Sequence, residues 1–304
     1  MIIHTKLVSV AMASYNGAIY IGEQIKSIVN QSYKNIEIII VDDCSQDSTI
    51  LLIKEYQVKY PFIQLFQNHQ NLGVTKTFEA AVNYCKGEFI AFSDQDDIWL
   101  PHKIETLINE IGGHDAVYAN SMLTDEAGVS LNKPFTSMMN MKTYYSGAPF
   151  LLSNTVPGHA MLVKNSFIKK IIPFPSNLFY DLWIGYNAAS NNGIKFVDEV
   201  LVLYRQHESN AVGTSMSKNK RKKNTLQHQF ENKKSELLSL SKAPIKDEKT
   251  RALLSEMIGL FYRRWSFKRS AFFFKNFNLL LSSKQKPYYR KVLYCFKMFF
   301  KPNF

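Results

Sequence analysis

A short apolar run, Phe89-Ile90-Ala91-Phe92-Ser93, passes directly into Asp94-Gln95-Asp96-Asp97-Ile98-Trp99, so three carboxylates fall within four residues. Carboxylates this close repel one another, and burying them unpaired is expensive. A strand that ends this way must open onto solvent or onto a cation. Hard oxygen donors are what Mg²⁺ and Mn²⁺ select. Alternation along an extended chain puts Asp94 and Asp96 on one side, where both can reach one metal-bound ligand. The plainer reading is a solvated turn ahead of the next helix, with Pro101 in its first turn.

The surrounding pattern favours a site. Val8 to Ala13 reads as a strand, followed by Ile21, Ile25, Ile28 and Val29 at helical spacing. Ile36 to Val41 is a continuous apolar strand that ends in Asp42-Asp43, and a helix carrying Ile50, Leu51, Ile53 and Tyr56 follows. Phe62 to Phe66, Phe89 to Ser93 and Ala116 to Ala119 are further strands, separated by helices over Val74 to Tyr84 and Pro101 to Ile111. Strands joined by crossover helices imply an α/β fold with a mostly parallel sheet and helices on both faces. Ligands collect beyond the carboxyl ends of such strands. Ser14-Tyr15-Asn16, Asp42-Asp43 and Asp94 to Asp97 all lie there.

Further on, Lys133 to Ser153 is irregular and reads as a mobile covering segment. Asn154 to Met161 reads as a turn entering a strand, Asp181 to Ala189 as a short helix, and Phe196 to Tyr204 as a final strand pair closing on Arg205-Gln206-His207. Leu226 to Leu240 and Thr250 to Trp265 read as helices.

The net charge of +12 conceals a division. Residues 1–214 hold 15 Lys and Arg against 20 Asp and Glu, a balance of −5; residues 215–304 hold 22 against 5, a balance of +17. An acidic body with a basic tail points to an anionic partner for the tail. The hydrophobic share of 46% fits a globular chain. Cys44, Cys85 and Cys295 form no metal-ligand spacing and are odd in number, which suits a reducing compartment. No signal peptide is read at the start, and no run of 18 uncharged apolar residues suggests a membrane span.

Taken in order, Ser14-Tyr15-Asn16-Gly17, Val41-Asp42-Asp43-Cys44-Ser45-Gln46-Asp47-Ser48-Thr49, Asn71-Leu72-Gly73, Ser93 to Trp99 and Tyr204-Arg205-Gln206-His207 resemble the family 2 nucleotide-sugar glycosyltransferases of GT-A fold. The likeness is greatest to bacterial O-antigen and capsule enzymes that transfer glucose or rhamnose, and it spans residues 7–213. It implies a GT-A domain over 1–213 and a basic, aromatic-rich helical extension over 214–304.

The resemblance also implies roles. Ser14, Asn16, Asp42 and Asp43 would border the nucleotide base, where a carboxylate can accept an imide N–H. Helix capping for the two aspartates and a turn role for Asn16 are the alternatives. Asp94 would face the ribose. Asp96 would bind the cation with His207 as a further ligand; an imidazole donor favours Mn²⁺ over Mg²⁺. Arg205 would meet the diphosphate or form a structural ion pair. Asp181 matches the catalytic base, although relatives place His or Glu where this chain has Tyr180; a helix cap is the competing role.

The implied reaction is inverting transfer of a hexose, from UDP-glucose or dTDP-rhamnose first of all. The acceptor would be a saccharide on polyprenyl diphosphate, such as GlcNAc-diphosphate-undecaprenol, in lipopolysaccharide or other surface-polysaccharide assembly. The enzyme would be cytoplasmic and peripheral on the inner face of the bacterial plasma membrane. Arg263-Arg264-Trp265, Lys268-Arg269, Phe272-Phe273-Phe274-Lys275 and Tyr288-Tyr289-Arg290-Lys291 suit an anionic membrane surface. Packing on the body is the alternative, and nucleic acid finds no support in the acidic site. A metal-dependent nucleotidyltransferase or phosphohydrolase, and a non-catalytic membrane-binding module, are the rival functions.

Overall fold

The computed structural model describes residues 6–207, 226–261 and 265–300. Its centre is a nine-stranded sheet. Four parallel strands come first: β1 (Val8–Ser14), β2 (Ile36–Asp42), β3 (Ile63–Gln67) and β4 (Phe89–Ser93), in the order β3-β2-β1-β4. The helices between them are α1 (Ile21–Val29), α2 (Thr49–Lys59) and α3 (Val74–Tyr84).

Strand alternation sorts the core into two layers. Val8, Val10 and Met12 of β1 pack with Ile21, Ile25 and Ile28 of α1, together with Ile104, Leu107 and Ile111 of α4 (Lys103–Ile111). Ala11 faces the other way, among Phe78, Ala81 and Val82 of α3. Both faces of these strands are covered, so β2 is buried at every position and reads as an unbroken apolar run.

Beyond β4 the sheet becomes mixed. The two-residue β5 (Ile98–Trp99) follows the acidic turn and pairs with the edge of β9 (Ile194–Arg205). β6 (Ala116–Thr124) carries the hairpin partner β7 (Ser130–Pro134) and lies between β9 and β8 (Met161–Lys164), and β8 runs antiparallel to β4. The expected final strand pair is one long strand, β9, whose register against β6 shifts at Asn120. α5 (Asn165–Ile171) and α6 (Tyr180–Ala189) complete the body.

Two expectations need correction. The 133–153 segment is no mobile cover: Phe135, Met141, Tyr144, Ala148, Phe150, Leu151 and Leu152 are buried in the layer on the α3 side. Its aromatic and aliphatic residues fill space that strand and helix periodicity does not describe. The tail is also packed. α7 (Leu226–Leu240), α8 (Glu248–Leu260), α9 (Phe267–Leu280) and α10 (Tyr288–Phe300) contribute Leu237, Met257, Phe261, Phe272, Phe273, Cys295 and Met298 to that same layer. Phe272 and Phe273, read as interfacial aromatics, are therefore core residues. Arg269, read as a surface cation, is fully buried and donates to the carbonyls of Leu260 (3.2 Å), Met298 (2.7 Å) and Phe299 (3.3 Å). It sits at the C-terminal ends of α8 and α10, where helix carbonyls lack partners and the dipole favours a cation. Ser217 to Asn224, a Lys- and Arg-rich run that reads from the sequence as a linker, and Arg263-Arg264 lie outside the described residues.

Candidate active site

The loops after β1 and β2 are tied together by their own polar groups. Asp42, fully buried, accepts from Ser14 Oγ (2.8 Å), Ser45 Oγ (2.6 Å) and Ser45 N (2.8 Å). Asp43 accepts from Asn68 Nδ2 (2.7 Å) and from the backbone N–H groups of Leu72 and Gly73 (both 2.8 Å). Neither caps the following helix; Asp47 serves there, accepting from Thr49 N at 3.0 Å. Asn16, at φ +46°, donates its N–H to Ser45 Oγ and accepts from Gln46 N, both at 2.8 Å. Direct contact between a nucleotide base and Asp42 or Asp43 would require one of these bonds to yield. Tyr15 and Asn16 remain exposed.

The acidic turn is arranged differently. The chain bends at Gln95-Asp96, so strand alternation stops at Ser93. Strand alternation therefore does not set the directions of Asp94 and Asp96. Instead Asp94 and Asp97 converge on His159, whose Nδ1 lies 3.9 Å from a carboxylate oxygen of each. Asp97 is fully buried; one oxygen accepts from Arg205 N (3.2 Å), and the other takes no hydrogen bond among the described residues. Burial, then Asp96 and Asp94, drive its carboxyl well above the usual range. Asp94, with 34% of its side chain exposed, is pushed up to about 7 by desolvation and by Asp96 and Asp181. His159 is held down to about 3 by burial and the nearby Lys103 ammonium, and its Nε2 bonds Ser121 Oγ at 2.9 Å.

Asp96 meets a different histidine. Its Oδ2 lies 2.8 Å from His207 Nε2, so the two residues implied as cation ligands meet. The His207 ring lies 4.6 Å from that of Tyr20. Arg205 is engaged by protein: its guanidinium donates to the Asp96 carbonyl (2.9 Å), the Glu126 carbonyl (2.6 Å) and Glu23 (2.5 Å). These bonds, with that from its N–H to Asp97, shape the acidic turn. Gln95 links the turn to the β1 loop by accepting from Tyr15 N (2.9 Å) and donating to Tyr15 O (3.0 Å), and the lack of a Cβ at Gly17 leaves room for that amide.

Asp181 is the second residue of α6, two past the Phe179 cap position. Its carboxyl is pushed up to about 6 by burial, opposed by hydrogen bonds from Leu182 N, Asn154 and Gly158 N. Tyr180 is buried against Phe78 and Phe92, with its hydroxyl hydrogen-bonded to Asp94. Glycine is required at 158 because a Cβ would collide with that hydroxyl.

Sequence reasoning missed Lys103. It is fully buried, donates to the His159 carbonyl at 2.5 Å, and stands 3.3 Å from the centroid of the Trp99 ring. Burial lowers its ammonium well below the usual range, while Asp97 and Asp94 oppose that shift. The signal was a lysine sharing an apolar helix face with Leu107 and Ile111, four and eight residues on. Gln24 was missed as well; with its amide turned so that both atoms are satisfied, the nitrogen donates to the Asp97 carbonyl (2.5 Å) and the oxygen accepts from Trp99 Nε1 (3.0 Å).

Residues 9–171 match the profile of the family described as glycosyl transferase family 2. The chain is a family 2 glycosyltransferase. An uncharacterized glycosyltransferase of Rickettsia typhi is 32% identical, over 70% of this chain and 68% of its own length. The dTDP-rhamnosyl transferase RfbG of Shigella flexneri is also 32% identical, over 68% and 75%. The fold resembles that of S. aureus TarS 1–349 in complex with UDP-GlcNAc, at a TM-score of 0.60 and 18% identity, across 96% of this chain and 79% of that one. A mannosyltransferase of Pyrobaculum calidifontis, solved with GDP-Man and Mn²⁺, gives 0.51 at 14% identity, across 96% and 84%. This glycosyltransferase thus has the GT-A architecture, and its acidic turn lies beyond the carboxyl end of β4.

Proposed function

We propose that this glycosyltransferase moves a hexose, from UDP-glucose or dTDP-rhamnose, onto a saccharide carried by polyprenyl diphosphate, with inversion at the anomeric carbon. The observation that carries this is the meeting of Asp94, Asp96, Asp97, Asp181 and His207 on one sheet edge, with carboxyl groups that the fold leaves crowded or unpartnered. A dTDP-rhamnosyl transferase among the relatives supports the donor class.

The donor set fits a hard divalent cation, and the unpaired buried oxygen of Asp97 marks a place where positive charge is needed. Asp96 and His207 would hold Mn²⁺, or Mg²⁺, with Asp94 beside them. When bound, the ion neutralises charge on the departing nucleoside diphosphate. The protein's own groups do the rest. Arg205 keeps Asp96 and Asp97 in their bent arrangement rather than touching phosphate. Asp42 and Asp43 fix the loops that present Tyr15, Asn16 and the backbone beside Ser14 to the base. Asp181 takes the acceptor hydroxyl's proton as that oxygen attacks the anomeric carbon and the bond to diphosphate breaks. Its raised pKa keeps it basic enough for that transfer and ionised at neutral pH.

In this reading residues 1–213 form the transfer domain, and 214–304 are an extension that holds the enzyme at the inner face of the membrane where surface polysaccharide is assembled. Among the described residues, no helix is long and apolar enough to cross a membrane. The test is to offer each sugar nucleotide with a GlcNAc-diphosphate-lipid acceptor, with Mn²⁺ or EDTA, and read the product's anomeric configuration. Inverted product, lost in EDTA, is expected. Release of pyrophosphate or phosphate without sugar transfer would instead select the nucleotidyltransferase or phosphohydrolase reading.

A further inference from the structure

We propose that the α9–α10 hairpin does two jobs at once: its inner face buttresses the active site, and the outer face of α10 docks on an anionic lipid bilayer. This deepens the membrane reading above, in which packing and lipid binding stood as alternatives. The sequence from Met257 to Phe304 holds 11 Lys and Arg and no Asp or Glu. The helices divide these residues by face. Phe272, Phe273, Cys295 and Met298 turn inward with Arg269. Tyr289, Leu293 and Phe296, spaced four and three residues apart along one face of α10, are each more than half exposed. Arg290 and Lys297 flank them in sequence and are exposed too, as is Lys286 in the preceding turn. At the far end of α10, exposed Phe267 packs on Phe299 at 4.3 Å. Aromatic and aliphatic groups bordered by cations, with no carboxylate to repel the surface, match the electrostatics and depth of an anionic lipid interface.

The inner side of the same hairpin is bound to the catalytic centre. Its turn accepts from Asn140 Nδ2 at Ser282 O (2.8 Å), and Gln285 donates to the carbonyls of Thr136 (2.7 Å) and Met139 (3.0 Å). Phe135, at the start of that segment, lies edge-on to His159. Ser283 Oγ is 3.4 Å from Ser153 Oγ, next to the Asn154 that bonds Asp181. A bilayer on the outer face therefore lies across the hairpin from the segments that hold Phe135 and Asn154.

The experiment is sedimentation of the full-length protein with vesicles of phosphatidylcholine alone or mixed equally with phosphatidylglycerol, which needs neither donor nor acceptor. Parent protein should bind the mixed vesicles, and salt should weaken that binding. Arg290→Glu with Lys297→Glu should lower affinity about thirtyfold or more, from about 1 kcal/mol per cation. Leu293→Ser with Phe296→Ser should lower it as well. Arg290 and Lys297 are exposed, so the thermal midpoint of that variant should match the parent; Phe296 also packs on Phe274 at 4.8 Å, so the serine pair is compared with the parent at a temperature where both are folded. Transfer to a short-chain soluble acceptor should persist in both variants while transfer to a vesicle-borne acceptor falls. Equal binding of parent and Arg290→Glu/Lys297→Glu to mixed vesicles, or equal binding of parent to both vesicle types, would overturn the proposal. Vesicle binding without any hexose transfer would leave it standing and refute the transferase reading instead.

Discussion

Two acidic strand ends lie on the same edge of one sheet and are built to opposite purposes. At the end of β2, Asp42 and Asp43 each receive three hydrogen-bond donors from neighbouring loops. At the end of β4, Asp97 keeps a buried oxygen that takes no hydrogen bond among the described residues, and Asp94 and Asp97 have their carboxyl groups pushed upward. The first pair supports the fold. In the second cluster burial and crowding make Asp94 and Asp97 harder to ionise. Adjacent carboxylates in a sequence do not reveal which of these they are; the supply of nearby donors does.

The largest expected effect lies just outside both clusters. Asp181→Asn preserves size and removes the proposed base, so kcat should fall about 10²–10⁴-fold with donor affinity little changed. The parent's kcat should rise with pH through about 6, because the base acts only when ionised. Near-normal turnover in the variant would place the base elsewhere.

Next comes the structural pair. Asp43→Ala strips partners from Asn68, Leu72 and Gly73 and should destabilise the protein by about 3 kcal/mol, read by denaturant unfolding. If unfolding is unchanged while nucleotide affinity collapses, Asp43 contacts the base and the contrast drawn above fails.

The smallest effect should have the opposite sign. Asp94 has its folded pKa raised to about 7, so its contribution to stability is complete below its unfolded value near 3.8 and is lost as pH rises through 7. Without metal, the parent's thermal midpoint should therefore drop across that window, and Asp94→Asn should flatten the drop and melt slightly higher than the parent at pH 8. A lower midpoint for Asp94→Asn at pH 8 would mean that this carboxylate, too, supports the fold.

Much of this was legible before any coordinates. Alternating periodicities located β1 to β4 and their helices, and strand order put the acidic ends on one edge. The bend at Gln95-Asp96 was not legible, because it depends on bonds from Arg205, over a hundred residues away. The convergence of Asp97 with His159 was hidden for that reason. Likewise, Arg269 and Phe272-Phe273 look like surface groups in a basic tail until the ends of α8 and α10 are seen to need a cation and the α3 layer to need filling. Composition reports how much charge a segment carries, while packing decides which face shows it.

The most direct test of this division is calorimetric titration of UDP and of dTDP into the parent, Asp96→Ala and Asp43→Asn, each with Mn²⁺ and with EDTA. The parent should bind one of the nucleotides at least about tenfold more tightly with Mn²⁺, as expected when an ion bridges carboxylate and diphosphate. Asp96→Ala should lose that gain, and Asp43→Asn, if folded, should keep it. Equal affinity with and without Mn²⁺, or a full metal gain in Asp96→Ala, would contradict the account.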